Sequence, residues 1–309
     1  MIPTMMEKKR VIALGFFDGV HIGHSALLQK VLEIGNEKNL VPSVITFDTH
    51  PLSLISGSTI PLINSPEDRA GLIRRNFGID DVIFLHFDSA TASLSWDAFI
   101  DHLLDEFGAR YLVAGHDFKF GNGGKGNSNL LKHKCKELGI GCKIVPVVKY
   151  DGIAGSSTYI RELILEGDME RANAFLGHRH VLTDVVRYGY RLGSTLGTPT
   201  INMCLQDNVL VPAFGVYATK VHLCDGSIHI GVTNIGVRPT IDASSQITAE
   251  THILNYKGNL YGHQVRIAFY KRLRPEIKFD DIGKLKEQIK EDCIAVKAYF
   301  SDEKRTCNE

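Results

Sequence analysis

Through the first half of the chain, short apolar runs alternate with segments whose apolar residues recur every three or four positions. The runs Val11–Gly15, Val41–Phe47, Asp81–Phe87, Arg110–Gly115 and Lys143–Val148 read as buried strands. The segments between them, His24–Lys38, Ser65–Asn76, Ser95–Phe107 and Asn127–Leu138, read as helices. Pro66 sits just inside its helix, where a missing N–H costs nothing. This alternation predicts a doubly wound α/β domain on a parallel sheet, with ligands at the carboxyl ends of the strands.

Helical signals continue through Ser157–Glu166 and Asp168–Leu176, and then the pattern changes. Val216–Leu223, His229–Asn234, Thr248–Asn255 and Gln264–Tyr270 have strand character, punctuated by turn sequences such as CDGS and YKGN. A last helix opens at Asp280 or Asp281, with Ile282, Leu285, Ile289, Cys293, Val296 and Phe300 on one stripe. The expected architecture is a doubly wound parallel-sheet domain over 1–180. A small antiparallel β-barrel domain over 181–309, ending in a helix, follows it.

Composition supports two cores and narrows the partners. The 309 residues exceed one usual core, and 44 % of them are hydrophobic. Thirty-five basic residues balance thirty-five acidic ones, which argues against broad electrostatic binding to nucleic acid or an anionic membrane. No apolar run follows the charged N-terminus, and none approaches the roughly 20 residues of a membrane span. The six cysteines form no CxxC pair, so a reduced, cytoplasmic protein is expected. The oligomeric state is not legible.

The strongest local signal is ALGFFDGVHIGHSALL, a strand, a loop with His21, and a helix starting near Gly23–His24. Glycines at 15, 19 and 23 permit close backbone approach, and a helix N-terminus is a natural phosphate seat. Two imidazoles at i and i+3 can donate to phosphate oxygens. The competing readings are chance proximity among thirteen histidines, and a zinc site, for which no third ligand follows at suitable spacing. The H-x-G-H pattern resembles that of the nucleotidyltransferase superfamily, which implies adenylyl or cytidylyl transfer without naming the acceptor.

Three later segments bear on the acceptor. TFDTHP places His50 at the carboxyl edge of the second strand, and GHDFKFG sets Asp117 among aromatic rings that can flank a planar ligand. SSTYIRE opens a helix with Ser157, Thr158 and, one turn on, Arg161, groups suited to phosphate oxygens and developing charge. Each has a plainer alternative: Ser157 as a helix cap, Phe118 and Phe120 as core.

Taken together and in this order, GFFDGVHIGH, DFKFG and SSTYIR resemble the prokaryotic bifunctional riboflavin kinase/FMN adenylyltransferase (FAD synthetase) family, over residues 10–300. The resemblance implies an ATP site at Gly15, Phe16, Asp18, His21, His24, Ser157, Thr158 and Arg161, with His21, His24 and Arg161 assisting catalysis. It puts His50, Asp117 and Phe118 on the flavin side. FMN phosphate is already a nucleophile, so in-line attack on the α-phosphorus of ATP needs no base, only positioning, charge stabilisation and Mg2+.

The segment GYRLGSTLGTPTIN supplies the second signal. Its glycines suggest a tight turn around phosphates, and Thr200 and Asn202 alternate onto one face behind Pro199. A hydroxyl and an amide oxygen suit a hard cation such as Mg2+. On pattern alone a simple turn, and a solvent-facing Glu250 in AETHILNY, explain as much. The resemblance implies more: Gly193, Gly197, Thr200 and Asn202 binding Mg-ATP, with Thr200 and Asn202 on the metal. Glu250 is then the base for the flavin 5′-hydroxyl, and Arg238 and Arg274, in NIGVRPT and RLRPE, border the flavin. Asp184, Ser194 and Thr198 depart from the family pattern. The leading expectation is therefore an enzyme taking riboflavin to FMN and FMN to FAD. The alternatives are a monofunctional FMN adenylyltransferase with a degenerate kinase module, and a non-catalytic flavin sensor.

Overall fold

The computed structural model describes residues 8–306 apart from 52, 54–56, 189–198, 206–207 and 240–244; the side chains of 238, 239, 245 and 303–306 also lie outside it. The chain forms two compact units, 1–157 and 158–309.

In the first unit, β1 (Arg10–Leu14), β2 (Val41–Phe47), β3 (Asp81–Leu85), β4 (Ala109–Gly115) and β5 (Gly141–Val145) form one parallel sheet in the order β3-β2-β1-β4-β5. The order reverses beside β1, which pairs with both β2 and β4. The crevice at the carboxyl ends of β1 and β4 is thus the switch point where doubly wound sheets bind ligands. Val11, Ile12, Ala13 and Leu14 are all buried because helices cover both faces. Helices α1 (Ile22–Lys38) and α2 (Pro66–Phe77) pack with Val11 and Ala13. On the opposite face, beyond the short α3 (Ser89–Ser93), α4 (Trp96–Phe107) and α5 (Ser128–Glu137) pack with Ile12 and Leu14. A small hairpin, β6 (Lys149–Tyr150) and β7 (Ile153–Ala154), follows β5.

The second unit contains most of α6 (Ser157–Glu166) and all of α7 (Met169–Leu176). It continues with β8 (His180–Val185), β9 (Thr200–Cys204), β10 (Gly215–His222), β11 (Ile228–Pro239), β12 (Ser245–Ile253) and β13 (Gln264–Pro275), and ends in α8 (Ile282–Thr306). The strands make an antiparallel sheet in the order β8-β13-β10-β11-β12-β9, and an Arg187–Asn202 bridge joins its two edges. One face buries Tyr217, Ile235, Ile267 and Phe269 with a hydroxyl chain, Thr219–Thr233–Thr251, at 2.8 and 2.9 Å. The other face carries Val216, Ala218 and Val232 and packs against Val296 and Phe300 of α8. The Asp281 carboxylate accepts from Lys284 N at 3.0 Å and starts that helix.

The sequence pattern put the division at 180/181, whereas compactness divides the chain at 157/158. The reason is α7. Asn173 donates to Phe269 O of β13 at 2.9 Å and accepts from His180 N of β8 at 2.7 Å, which holds the helix to the sheet.

Candidate active sites

The first site is a cavity of about 370 Å³ at the switch point, walled by Gly15, Phe16, His21, His24, Asp117 and Ser157 among others. His21 is the N-cap of α1: its Nδ1 accepts from Gly23 N (3.1 Å) and His24 N (3.3 Å). An accepting Nδ1 carries no proton, so the ring's N–H is at Nε2. The His21 ring thus takes two of the α1 N–H groups that the sequence offered to a phosphate. Gly23 makes this possible, because a Cβ there would stand 3.0 Å from His21 Cε1. The His21 and His24 rings stack with centroids 3.6 Å apart. Burial, reinforced by the positive potential of His21 and Arg69, holds the His24 pKa well below the ordinary imidazole value. The ring is neutral at pH 7, and its buried Nδ1 has no hydrogen-bond partner among the described residues.

Asp18, expected among the ATP contacts, lies beneath the loop instead. Its buried carboxylate accepts from Ile63 N (2.9 Å) and Asn64 N (3.4 Å) and stands 4.0 Å from Arg69 Nη2. Ser157 Oγ donates to Asp18 O at 3.0 Å, so this hydroxyl is held to the loop. Phe16 meets the His50 ring edge-on at 4.9 Å. Phe118 lines the cavity and stacks on Phe120, which belongs to the core beneath it. Asp117 is exposed at the mouth. Thr158 and Arg161 follow Ser157 on α6, Arg161 one turn on. Sequence reasoning missed Arg69, a fully buried cation below Phe16. Its only trace is a charge on the apolar face of α2, beside Leu72 and Ile73.

The second site lies on the face of the antiparallel sheet that α8 covers. Cross-strand register sets Arg274, Val216, Asn234, Glu250 and Asn202 in one row over β13, β10, β11, β12 and β9. Directly opposed residues share a face, so Asn234, Glu250 and Asn202 form a polar strip. The neighbouring row sets Val232, His252 and Thr200 beside it. A cavity of about 330 Å³ opens above Asn234, Glu250, His252 and Thr200, closed by Leu285, Ile289 and Asp292 of α8. A second cavity, about 380 Å³, lies among Pro199, Thr200, Thr251, Tyr256 and Tyr261. Thr200 borders both. Asn202 is buried, and its Oδ1 has no hydrogen-bond partner among the described residues, an acceptor awaiting a donor or a cation. Arg274 is held by Asp292 through two bonds, 2.9 and 2.8 Å. Asn234 and His252 were not singled out in the sequence, and only their register with Glu250 and Thr200 reveals them.

Asp184 is buried in β8 with its Oδ1 accepting from Val185 N, and it borders neither cavity of this unit. Gly193, Ser194, Gly197 and Thr198 lie outside the described residues, as does the side chain of Arg238, whose backbone is in β11. Among the described residues there is no group of three or more His, Cys, Asp or Glu that could hold a metal ion.

Residues 4–159 match the family model for FAD synthetase and 176–300 the model for riboflavin kinase. The bifunctional riboflavin kinase/FMN adenylyltransferase of Bacillus subtilis (strain 168) is 35 % identical over 300 residues, 96 % of this chain and 94 % of that one. The chain belongs to the bifunctional riboflavin kinase/FMN adenylyltransferase family. The Escherichia coli (strain K12) protein of the same name is 33 % identical over 94 % of this chain and 92 % of its own length. A crystal structure named as a macrolide-efflux protein from Streptococcus pneumoniae has the same fold. It superposes with a TM-score of 0.84 at 27 % identity, covering 96 % of this chain and 97 % of that one. Among the described residues no helix is long and apolar enough to cross a membrane. Both the parallel-sheet and the antiparallel-sheet expectations agree with membership of this family.

Proposed function

We propose that the chain phosphorylates riboflavin to FMN in its second module, 181–309, and adenylylates FMN to FAD, with release of pyrophosphate, in its first, 1–180. What carries this reading is the difference between the two sites. Glu250 stands in a polar strip beside Thr200, which borders two adjoining cavities, while the histidine pair stands at a sheet switch point. One site thus has a base and the other donors, as an alcohol and a phosphate nucleophile respectively require.

In the second module Glu250 takes the proton of the flavin 5′-hydroxyl, whose oxygen attacks the γ-phosphorus of ATP as ADP leaves. Flavin would occupy the cavity under α8, beside Arg274, and ATP the cavity at Tyr256 and Tyr261. Thr200 and Asn202 would hold Mg2+, for which the buried, unpartnered Asn202 Oδ1 is a suitable hard donor. That ion neutralises phosphate charge when bound. In the first module an FMN phosphate oxygen attacks the α-phosphorus. His21 and the neutral His24 orient and donate to the phosphates, Ser157 adds a hydroxyl, and Phe118 and His50 flank the flavin side. The free thiols Cys135, Cys142, Cys204, Cys224 and Cys293 suit a cytoplasmic setting.

Glu250→Gln in the full chain tests the assignment of two separate centres. FMN formation from riboflavin is expected to fall at least about 100-fold, with adenylylation of supplied FMN within about twofold of wild type. Loss of both activities together, measured by flavin chromatography, would contradict it.

A further inference from the structure

The loop between β1 and α1 holds two buried non-glycine residues in the left-handed region, Phe17 at φ 54° and Val20 at φ 44°. For a β-branched residue this is an outlier, and it persists only where the surroundings over-determine it. The fastenings converge on one side chain. Arg69 Nη1 donates to Phe16 O (3.0 Å), to Thr46 Oγ1 (3.0 Å) and to Phe47 O (2.7 Å), and Thr46 Oγ1 in turn donates to Phe16 O at 2.6 Å. Phe16 and Phe47 both wall the first cavity. The guanidinium also lies 4.6 Å from the Phe16 ring centroid and pairs with Asp18, which grips the backbone at Ile63 and Asn64.

We propose that Arg69 is a positioning residue of the first site, holding the strained loop and the end of β2 in the shape that presents His21 and His24 to the nucleotide. The proposal rests on the reading of that site as an adenylyl-transfer centre. Arg69 does not touch the cavity and acts through the loop. Its charge has a second consequence. The titratable groups around His24 are His21 on the loop, Arg69 on α2 with Asp18 against it, and His116, Asp117 and Lys119 across the cavity. Removing the Arg69 cation takes away one of the charges that disfavour imidazolium and leaves Asp18 uncompensated. Both changes favour protonation of His24.

The test compares wild type, Arg69→Met and Arg69→Lys in the full chain. NMR of isotope-labelled histidine follows the His24 titration without ligand, and FAD formation from FMN and Mg-ATP is measured on the same samples. Arg69→Met is expected to move the His24 titration to higher pH. Its kcat for adenylylation falls at least about tenfold with the ATP KM changed less than about threefold. Arg69→Lys, which keeps the charge and loses the planar fork, is expected to restore the wild-type titration and only part of kcat. A His24 titration unmoved in Arg69→Met, or equal kcat in all three proteins, would overturn the proposal. If the wild type makes no FAD from FMN, the functional reading fails, and the His24 titration still decides the part of Arg69.

Discussion

Arg10 illustrates what a buried charge demands of its neighbours. It opens β1 almost without solvent contact, donating from Nε to Asp81 Oδ2 at 2.8 Å and from Nη1 to Phe107 O at 2.8 Å, while Ser43 Oγ donates to the same carboxylate oxygen at 2.6 Å. Burial pushes the Asp81 pKa up, yet the hydrogen bonds from Arg10 and Ser43 and the Arg10 charge outweigh it and hold it below the usual carboxylate range. Because the folded value is depressed, the stabilisation is fully present above the unfolded value, about 4, and is lost as pH falls through the folded value. Asp81→Ala should therefore lower stability by about 3 kcal/mol at pH 7, since it strands a buried guanidinium. In urea unfolding its deficit against wild type should narrow below about pH 4; a deficit independent of pH would contradict this origin. Such residues were opaque in the sequence. Arg10 reads as part of a charged N-terminus and Arg69 as one more charge in a helix, because a lone cation carries no mark of the acceptors that the fold brings to it. The histidine pair was legible because its spacing, its glycines and its strand–helix setting all point the same way.

At the scale of elements, α8 gives the second site a wall. Its apolar stripe does two things: Val296 and Phe300 pack on the sheet, whereas Leu285 and Ile289 face the cavity above Glu250. The Arg274–Asp292 pair, with Gln288 donating to Asp292 at 3.3 Å, fixes the helix where those two tasks meet. Asp292→Asn weakens that clamp, and the riboflavin KM of the kinase step should rise at least about fivefold while FMN adenylylation stays within about twofold. An unchanged riboflavin KM would show that α8 is held by its apolar packing alone. The stripe itself was readable from its spacing, and so were the helices and parallel strands whose apolar period is strong. The short α3, SATAS, has no apolar period and was not anticipated. The hairpin β6–β7 was also missed, although Asp151-Gly152 is a turn sequence, because its strands are two residues each and largely exposed.

At the scale of the whole molecule, the two proposed nucleotide-using centres are built on different principles. The first uses a sheet switch point and a loop held under strain; the second uses cross-strand register, which turns residues distant in sequence into one polar strip. Register explains why Asn234 and His252 escaped notice, since alternation shows which face a residue takes but not what lies opposite. An amphipathic helix such as α7 likewise shows that it packs, not against which core. The central claim is that both centres work in sequence on a flavin. The most direct measurement is a time course of the purified full chain with riboflavin, ATP and Mg2+, resolving the flavins by chromatography. FMN should appear first and FAD follow at its expense. FAD formed only when FMN is supplied, or no product from either flavin, would contradict the account.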